Sequence, residues 1–471
     1  MRAAAMAGLG AAALGILIAA APAVQSAEAV PAGSVPGAAV APPSFDGVPA
    51  AVLASISAAV DPRALRETDT RLVAFGTRHT LSGTTSDTRC IGAARRWVQA
   101  RFEAISRDCG GCLQVVTPGR QFSAKRIPVP TDVVDVVAIQ RGTTDPGRVV
   151  IMTAHVDTIV SDVLDATHDA PGADDDGSGV AAVLEAARVL SRQHFGATVV
   201  YGVMSGEEQG LFGGQVLAAY AQAQGWRVEA DLNNDIVGAS RGENGVLDNT
   251  HVRVFSEGTK ATETPEQANK RRYNGGEVDS PSRNLARFLA QLAERTMPNF
   301  HVAMVYRTDR FNRGGDQVPF LEAGYPAVRF TEAHEDYRHQ HQDVRTEGGV
   351  AYGDTLDHVD FDYLAQVTRL DAMGLAALAN APAPPHGVGI TGALKHATTM
   401  TWQAQPDTAG WRVWWRDTTS PTWQRSRWIA PAATQAVIED TPIDDWFFGV
   451  SAVSADGWES PVVFPGDPGS F

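Results

Sequence analysis

Pro171-Gly172-Ala173-Asp174-Asp175-Asp176-Gly177-Ser178-Gly179 sets three adjacent carboxylates between glycines, directly ahead of an apolar run. Like charges on neighbouring side chains repel unless a cation lies among them. A solvated acidic turn before a helix would tolerate the same residues, because a helix N-terminus favours carboxylates. The stretch alone fits both readings. Its company separates them: His155-Val156-Asp157 upstream, Glu207-Glu208 and Asp235 downstream, and a late His339. Together these residues describe a metal site.

The upstream and downstream groups each follow or end a strand-like run. Arg148 to Ala154 is almost continuously apolar, as in a strand buried on both faces, and it leads into His155. Thr198 to Met204 leads in the same way to the Glu pair, and Ala230 to Ile236 carries Asp235. Open α/β sheets hold their ligands just beyond the carboxyl ends of their strands. An i, i+2 His/Asp pair lets His155 bind a metal while Asp157 steadies its other ring nitrogen. An ordinary hydrogen-bonded histidine would fit that short pattern too. Adjacent Glu207 and Glu208 allow one carboxylate to bind metal while the other faces an attacking water. Asp235 can add an oxygen ligand or simply cap its strand. Tyr337-Arg338-His339-Gln340-His341-Gln342-Asp343 offers two imidazoles and an acid, and the i, i+4 spacing of His339 and Asp343 suits a ligand with a carboxylate beside it.

Helical and strand-like segments alternate around these runs. Ile91, Ala94, Val98, Phe102 and Ile105 fall at helical spacing, as do Val180, Val183, Leu184, Ala187 and Leu190. Val133 to Ile139, His251 to Phe255, Val302 to Val305 and Ala327 to Phe330 read as strands. Val216 to Ala223, Leu285 to Leu292 and Phe361 to Leu378 read as helices. This alternation predicts an α/β fold, a mixed and mostly parallel sheet sandwiched by helices. At 471 residues the chain is long for one core and points to more than one domain. Composition divides it at residues 1–29, 30–48, 49–380, 381–386 and 387–471.

Residues 1–29 carry Arg2 followed by an Ala/Leu/Ile run too short for a membrane span, which needs about 20 residues. They read as a signal peptide, so the expected location is secreted or periplasmic, with no membrane span after its removal. Residues 30–48, rich in Pro, Gly and Ala, read as a linker. Residues 49–380 form the expected catalytic domain. Ala381-Pro382-Ala383-Pro384-Pro385 opens a Pro-rich hinge at 381–386. Beyond it, Met400 to Gln403, Trp411 to Trp415 and Trp446 to Val453 are short aromatic runs with turn signals between them, which predicts a small all-β sandwich at 387–471. Its tryptophans are expected to fill a core rather than form a sugar platform. The formal charge of −15 argues against nucleic acid and anionic membrane surfaces as partners. Three cysteines fit an oxidising compartment; the expected disulfide joins Cys109 to Cys112, or Cys90 to either.

The ordered set Ala154-His155-Val156-Asp157, Asp174-Asp175-Asp176 in its glycine frame, Gly206-Glu207-Glu208-Gln209-Gly210-Leu211, Asn234-Asp235 and His339 with Asp343 resembles the secreted co-catalytic zinc aminopeptidases, a family that includes glutamate carboxypeptidases and glutaminyl cyclases. The resemblance spans roughly residues 50–380. It implies that Asp175 bridges two zinc ions, with His155 and Asp235 completing one and Glu208 and His339 the other. It also implies a cis Asp175–Asp176 peptide, Glu207 as general base, Asp157 behind His155, and peptide or protein N-termini as substrates. The family's tyrosine before the last histidine is replaced by Arg338, with Tyr337 one residue earlier. In Gly315-Asp316-Gln317-Val318-Pro319-Phe320, Gln317 stands where a histidine is usual, and Asp316 is a candidate for a supporting role or for the substrate pocket. The stretch from Trp402 through Val450-Ser451-Ala452-Val453 to Trp458 resembles a fibronectin type III module of unknown partner. Alternatives on the same fold are a carboxypeptidase, using Arg307, Arg310 and Arg313 to grip a terminal carboxylate, and a one-zinc glutaminyl cyclase. A catalytically dead receptor or adhesion module is the alternative of another class.

Overall fold

In the computed structural model, which describes residues 48–471, eight strands form one mixed sheet. The expected signal peptide, and the linker up to residue 47, lie outside the described residues. The spatial order of strands is Leu113–Val116, Val136–Gln140, Ala197–Met204, Asp145–His155, Arg227–Asn234, Ala327–Glu332, His251–Phe255 and His301–Val305. The four strands at the centre of this order are parallel to one another, and antiparallel pairings flank them on either side. The His155 strand lies between the strand that precedes the Glu pair and the strand that precedes Asp235. The register pairs Ala154 with Val203 and His155 with Met204, so parallel strands deliver their following residues to one edge. That edge is where the candidate ligands collect.

Helices cover both faces of the sheet. Gly179–Leu190 buries every residue except Arg188, and Phe361–Asn380 buries Ala372, Gly374, Ala376, Ala377 and Ala379, whose small side chains permit close approach. Burial of this kind contributes about 25 cal/mol per Å² of apolar surface. The sequence reading of a strand over Val133 to Ile139 meets a break at Asp135, which separates Ile127–Val134 from Val136–Gln140. The Asp135 carboxylate is fully buried and accepts the Ser205 N–H at 3.1 Å, just ahead of the Glu pair. The glycines framing the three acids are required by space. A Cβ at Gly172, whose φ is +53°, would meet Asp175 O at 2.6 Å, and one at Gly179 would meet Asp176 Oδ1 at 2.4 Å.

Residues 389–453 supply two three-stranded antiparallel sheets, Gly389–Thr391, Thr398–Thr401 and Gln435–Ile438 in one, Arg425–Ile429, Gly410–Asp417 and Trp446–Val453 in the other. Met400, Trp402, Trp411, Val413, Ile438 and Val450 share one apolar cluster, which makes the pair a sandwich with Trp402 and Trp411 in its core, while Trp428 is exposed. The sandwich packs on the α/β body through buried charge. Arg416 Nη2 lies 2.9 Å from both Asp279 oxygens, Arg287 Nη1 is 2.8 Å from Oδ1, and Arg287 Nε donates to Pro421 O at 2.7 Å. In the connecting run, Arg148 donates to the carbonyls of Leu378 and Ala381 at 3.1 and 2.6 Å. Cys109 and Cys112 form the disulfide, and Cys90 is free.

Arg148 also pairs with Glu229 at 2.9 Å. Burial pushes the Glu229 carboxyl up from 4.5 to about 7, with Arg148 opposing. Between those values the native state keeps a proton that the unfolded chain releases, so stability falls as pH rises through this window, by about 3 kcal/mol at most. Above pH 7 the group is ionised in both states and its contribution stays at its lowest. Glu229→Gln, which retains an oxygen for Arg148, is expected to flatten that fall. Urea unfolding at pH 5 and pH 8 measures it; an unchanged difference between the two pH values would contradict the assignment.

Candidate active site

The three acids have three different jobs. Asp174 Oδ1 accepts the Gly238 N–H at 2.6 Å. Asp176 accepts the His155 N–H through Oδ2 at 3.0 Å and the Gly179 N–H through Oδ1 at 3.0 Å. Both outer acids thus tie the turn to its surroundings. Asp354 fastens the turn from beneath, accepting the Asp174 N–H at 2.9 Å and the Asp175 N–H at 2.7 Å. The middle carboxylate alone faces two imidazoles: Asp175 Oδ1 is 3.3 Å from His155 Nε2 and Oδ2 is 3.0 Å from His341 Nε2. The Asp175–Asp176 peptide is cis.

Glu208 Oε1 lies 3.2 Å from His341 Nε2, and Asp235 Oδ1 lies 3.9 Å from His155 Nε2. Ligand atoms of His155, Asp175 and Glu208 fall within 4.8 Å of one another, as do those of His155, Glu207 and Asp235. His155 Nε2 and Glu208 Oε1 are buried and make no hydrogen bond of good geometry, a costly state for polar atoms that have no further partner. A divalent cation would satisfy both. Imidazole and carboxylate donors at this closeness fit zinc.

The histidine that the structure places beside Asp175 and Glu208 is His341, where the sequence reading expected His339. His339 Nδ1 lies 3.0 Å from Gly353 O, its ring stacks on His358 with centroids 3.3 Å apart, and it lines a neighbouring cavity instead. Asp343 accepts from Ser161 Oγ at 2.6 Å and has no contact with His339, while Tyr337 is 58% exposed. Asp316 is fully buried and accepts the Gly214 N–H at 3.1 Å. Burial raises its carboxyl to about 7, with His155 opposing and Asp157 adding to the rise. Asp157 acts chiefly on the Glu pair: its carboxylate accepts the N–H groups of Glu207 and Glu208, both at 3.2 Å, and the Thr80 hydroxyl at 2.9 Å. His155 Nδ1 meets the Asp157 backbone carbonyl at 3.1 Å, with the carboxylate 3.7 Å away.

Electrostatics follow from this crowding. Burial would push the His155 imidazolium down, but Asp175 and Asp235 outweigh it and hold its pKa well above the histidine range. Burial opposes ionisation of Asp175, yet His155 and His341 bring its pKa well below the ordinary value. Burial sends the Glu207 carboxyl well up, with His155 opposing and Glu208 reinforcing, as suits a group that must accept a proton. Arg329 Nη1, 2.7 Å from Asp235 Oδ2, keeps that carboxylate charged against burial. Asp175, Glu207, Glu208, Asp235 and His341 line one cavity, and of the three arginines Arg310 and Arg313 line it too, joined by Arg126, while Arg307 is exposed beside Phe311.

Residues 135–348 match peptidase family M28. A "probable zinc metalloprotease" of Leptosphaeria maculans is 43% identical over 400 residues, 84% of this chain and 92% of the relative. The chain belongs to peptidase family M28. The "probable zinc metalloprotease" of Pyricularia oryzae is 41% identical over 430 residues, 89% of this chain and 85% of its own. Among solved structures, LapB from Legionella pneumophila shares the fold with a TM-score of 0.51 at 18% identity, covering 72% of this chain and 76% of that one. The LapA aminopeptidase of the same organism gives 0.50 at 19% identity, covering 70% and 74%. The M28 chain is thus a zinc metalloprotease on an aminopeptidase-type fold.

His341→Ala is expected to lose at least half of the zinc that the parent keeps after dialysis, and His339→Ala to keep it. Elemental analysis of the two variants decides; the reverse pattern would return the ligand position to His339.

Proposed function

We propose that this M28 chain is an exported di-zinc aminopeptidase that removes N-terminal residues from peptides. One observation carries the reading: Asp175 stands between His155 and His341 while Glu207 and Glu208 sit against the same pair. His155, Asp175 and Asp235 would hold one ion, and Asp175, Glu208 and His341 the other. Two zinc ions sharing a carboxylate would polarise the scissile carbonyl and acidify a water between them. Glu207, fixed through its backbone by Asp157, takes the proton from the attacking water and passes it to the leaving amine. Its raised pKa makes the Glu207 carboxylate a stronger base toward that water. The excess of carboxylates lining the pocket, Asp175, Glu207, Glu208 and Asp235, suits a free substrate α-amine, which favours N-terminal cleavage.

Export rests on residues 1–29. The strand order of the C-terminal sandwich supports a fibronectin type III module. A second reading, a carboxypeptidase on the same fold, draws on the arginines of the cavity.

An aminoacyl anilide is expected to release its chromogenic amine, with activity abolished by a chelator and restored by zinc. Glu207→Gln should lower kcat by about 10²–10⁴-fold, with zinc content retained. Preferential cleavage of an N-blocked dipeptide over the free-amine anilide would replace the aminopeptidase reading with the carboxypeptidase one. Parental turnover in Glu207→Gln would remove Glu207 from its role.

A further inference from the structure

The two ions of the reading above would share Asp175 and differ in their second carboxylate, Asp235 or Glu208. The surroundings of those two acids are unlike. Asp235 carries a buried guanidinium. Arg329, on the strand Ala327–Glu332 and without solvent exposure, places Nη1 2.7 Å from Asp235 Oδ2 and donates from Nη2 to the Asp235 carbonyl at 3.3 Å. Arg310 Nη2 adds a second positive group 3.9 Å from the same oxygen. Oδ1 is the oxygen turned toward His155 Nε2, 3.9 Å away. Asp235 therefore offers one oxygen to an ion while a guanidinium occupies the other.

Arg329 is itself held from behind. Nη1 donates to Gly314 O at 3.1 Å and meets Asp309 Oδ2 at 3.4 Å. Gln317 Nε2 donates to that Asp309 oxygen at 2.7 Å, and Arg310 Nε to Oδ1 at 3.1 Å. Asp309 divides one negative charge between two arginines, so it cancels only part of the charge that Arg329 brings to Asp235. Glu208 is placed differently. Its Oε1 is buried without a hydrogen bond of good geometry and lies 3.2 Å from His341 Nε2, a ring that takes a metal only after giving up its proton. Arg126 reaches this residue at the backbone carbonyl, 2.8 Å away, and among the described residues no guanidinium pairs with its carboxylate. Metal affinity follows the charge of the ligands and the rigidity of the site. One position presents an undivided carboxylate, and the other a carboxylate already paired.

We propose that Arg329 is a positioning residue that makes the two metal positions unequal, so that the ion between His155 and Asp235 is the more weakly held and the one that exchanges with its surroundings. The proposal rests on the di-zinc reading and deepens it. Arg329 fixes Asp235 for binding through one oxygen and at the same time offsets its charge. The fixing keeps the position formed in the metal-free protein, and the offset limits how strongly it holds an ion. A peptidase built this way retains one zinc on dilution and takes up the other according to the zinc available outside.

Zinc binding to the metal-free, full-length protein, measured by competition with a chromophoric chelator, tests this without turnover. Glu208→Gln strips the charge from one position and leaves the Asp235 position intact; Asp235→Asn does the reverse. Zinc is expected to bind about tenfold more weakly to Glu208→Gln than to Asp235→Asn, since partners of metal ligands change affinity by about 10–100-fold. Adding Arg329→Gln to Glu208→Gln removes the guanidinium and should tighten zinc about fivefold, whereas Arg329→Lys, which keeps the charge, should not tighten it. A merely structural role for Arg329 predicts looser binding in both double variants. Equal affinity in Glu208→Gln and Asp235→Asn overturns the proposal, and that comparison stands even if the buried Arg329 tolerates no substitution. Failure of Arg329→Gln to tighten zinc in a folded protein overturns it as well. If the parent binds a single zinc, the di-zinc reading fails; retention of that zinc in Asp235→Asn then upholds the weakness of the Asp235 position, and its loss overturns both.

Discussion

A carboxylate buried at the junction of several others is tolerable only where positive charge meets it, and the geometry around Asp175 answers that demand. Its two oxygens face two imidazoles, His155 and His341, drawn from distant segments of the sequence, at 3.3 and 3.0 Å. The acids flanking it are spent on backbone N–H groups, so no competing carboxylate reaches those imidazoles from the same turn. Hydrogen bonds of this kind to ionised oxygens are about twice as strong as neutral ones. The turn is rigid because Asp354 grips two consecutive amides from below. The chain has arranged three acids in a row so that one of them is left available.

The strands that bring these groups together were legible because burial on both faces leaves a continuous apolar run. Arg148 to Ala154 and Thr198 to Met204 could hardly be read otherwise, and the mixed sheet follows from them. Segments without an apolar period left no such mark. The hairpin of Gly119–Ala124 and Ile127–Val134 is exposed along most of its length, and Pro265–Asn274 is a helix with no buried residue. The break at Asp135 was invisible for another reason: a single buried acid bonding Ser205 interrupts a strand whose residues all favour extension.

The late histidines show where local spacing stops being informative. His339 and His341 stand two residues apart in the same polar loop, and either could close the site. Tertiary packing decides: His358 stacks on His339, Gly353 accepts from it, and a left-handed backbone at His341, φ +53°, directs the next imidazole inward. Asp157 teaches a related lesson. The His-x-Asp spacing announces a partner for the imidazole, yet the backbone carbonyl takes that part and the carboxylate instead organises the two glutamates.

The two walls of the cavity are drawn from different parts of the fold. The ends of the central strands and the turn they support carry its carboxylates, and these are fixed by the sheet. The wall opposite them comes from a hairpin turn and from the loop between His301–Val305 and Gln317–Glu322, segments that the sheet constrains only at their ends. Within that loop the order is imposed by charge: Asp309 fixes Arg310, and Gln317, in place of a histidine, donates to Asp309 Oδ2 at 2.7 Å. Replacing a titratable ring by an amide keeps this support neutral while leaving the Asp309 charge for the arginines. A loop ordered in this way holds its guanidinium groups in fixed positions at the cavity wall.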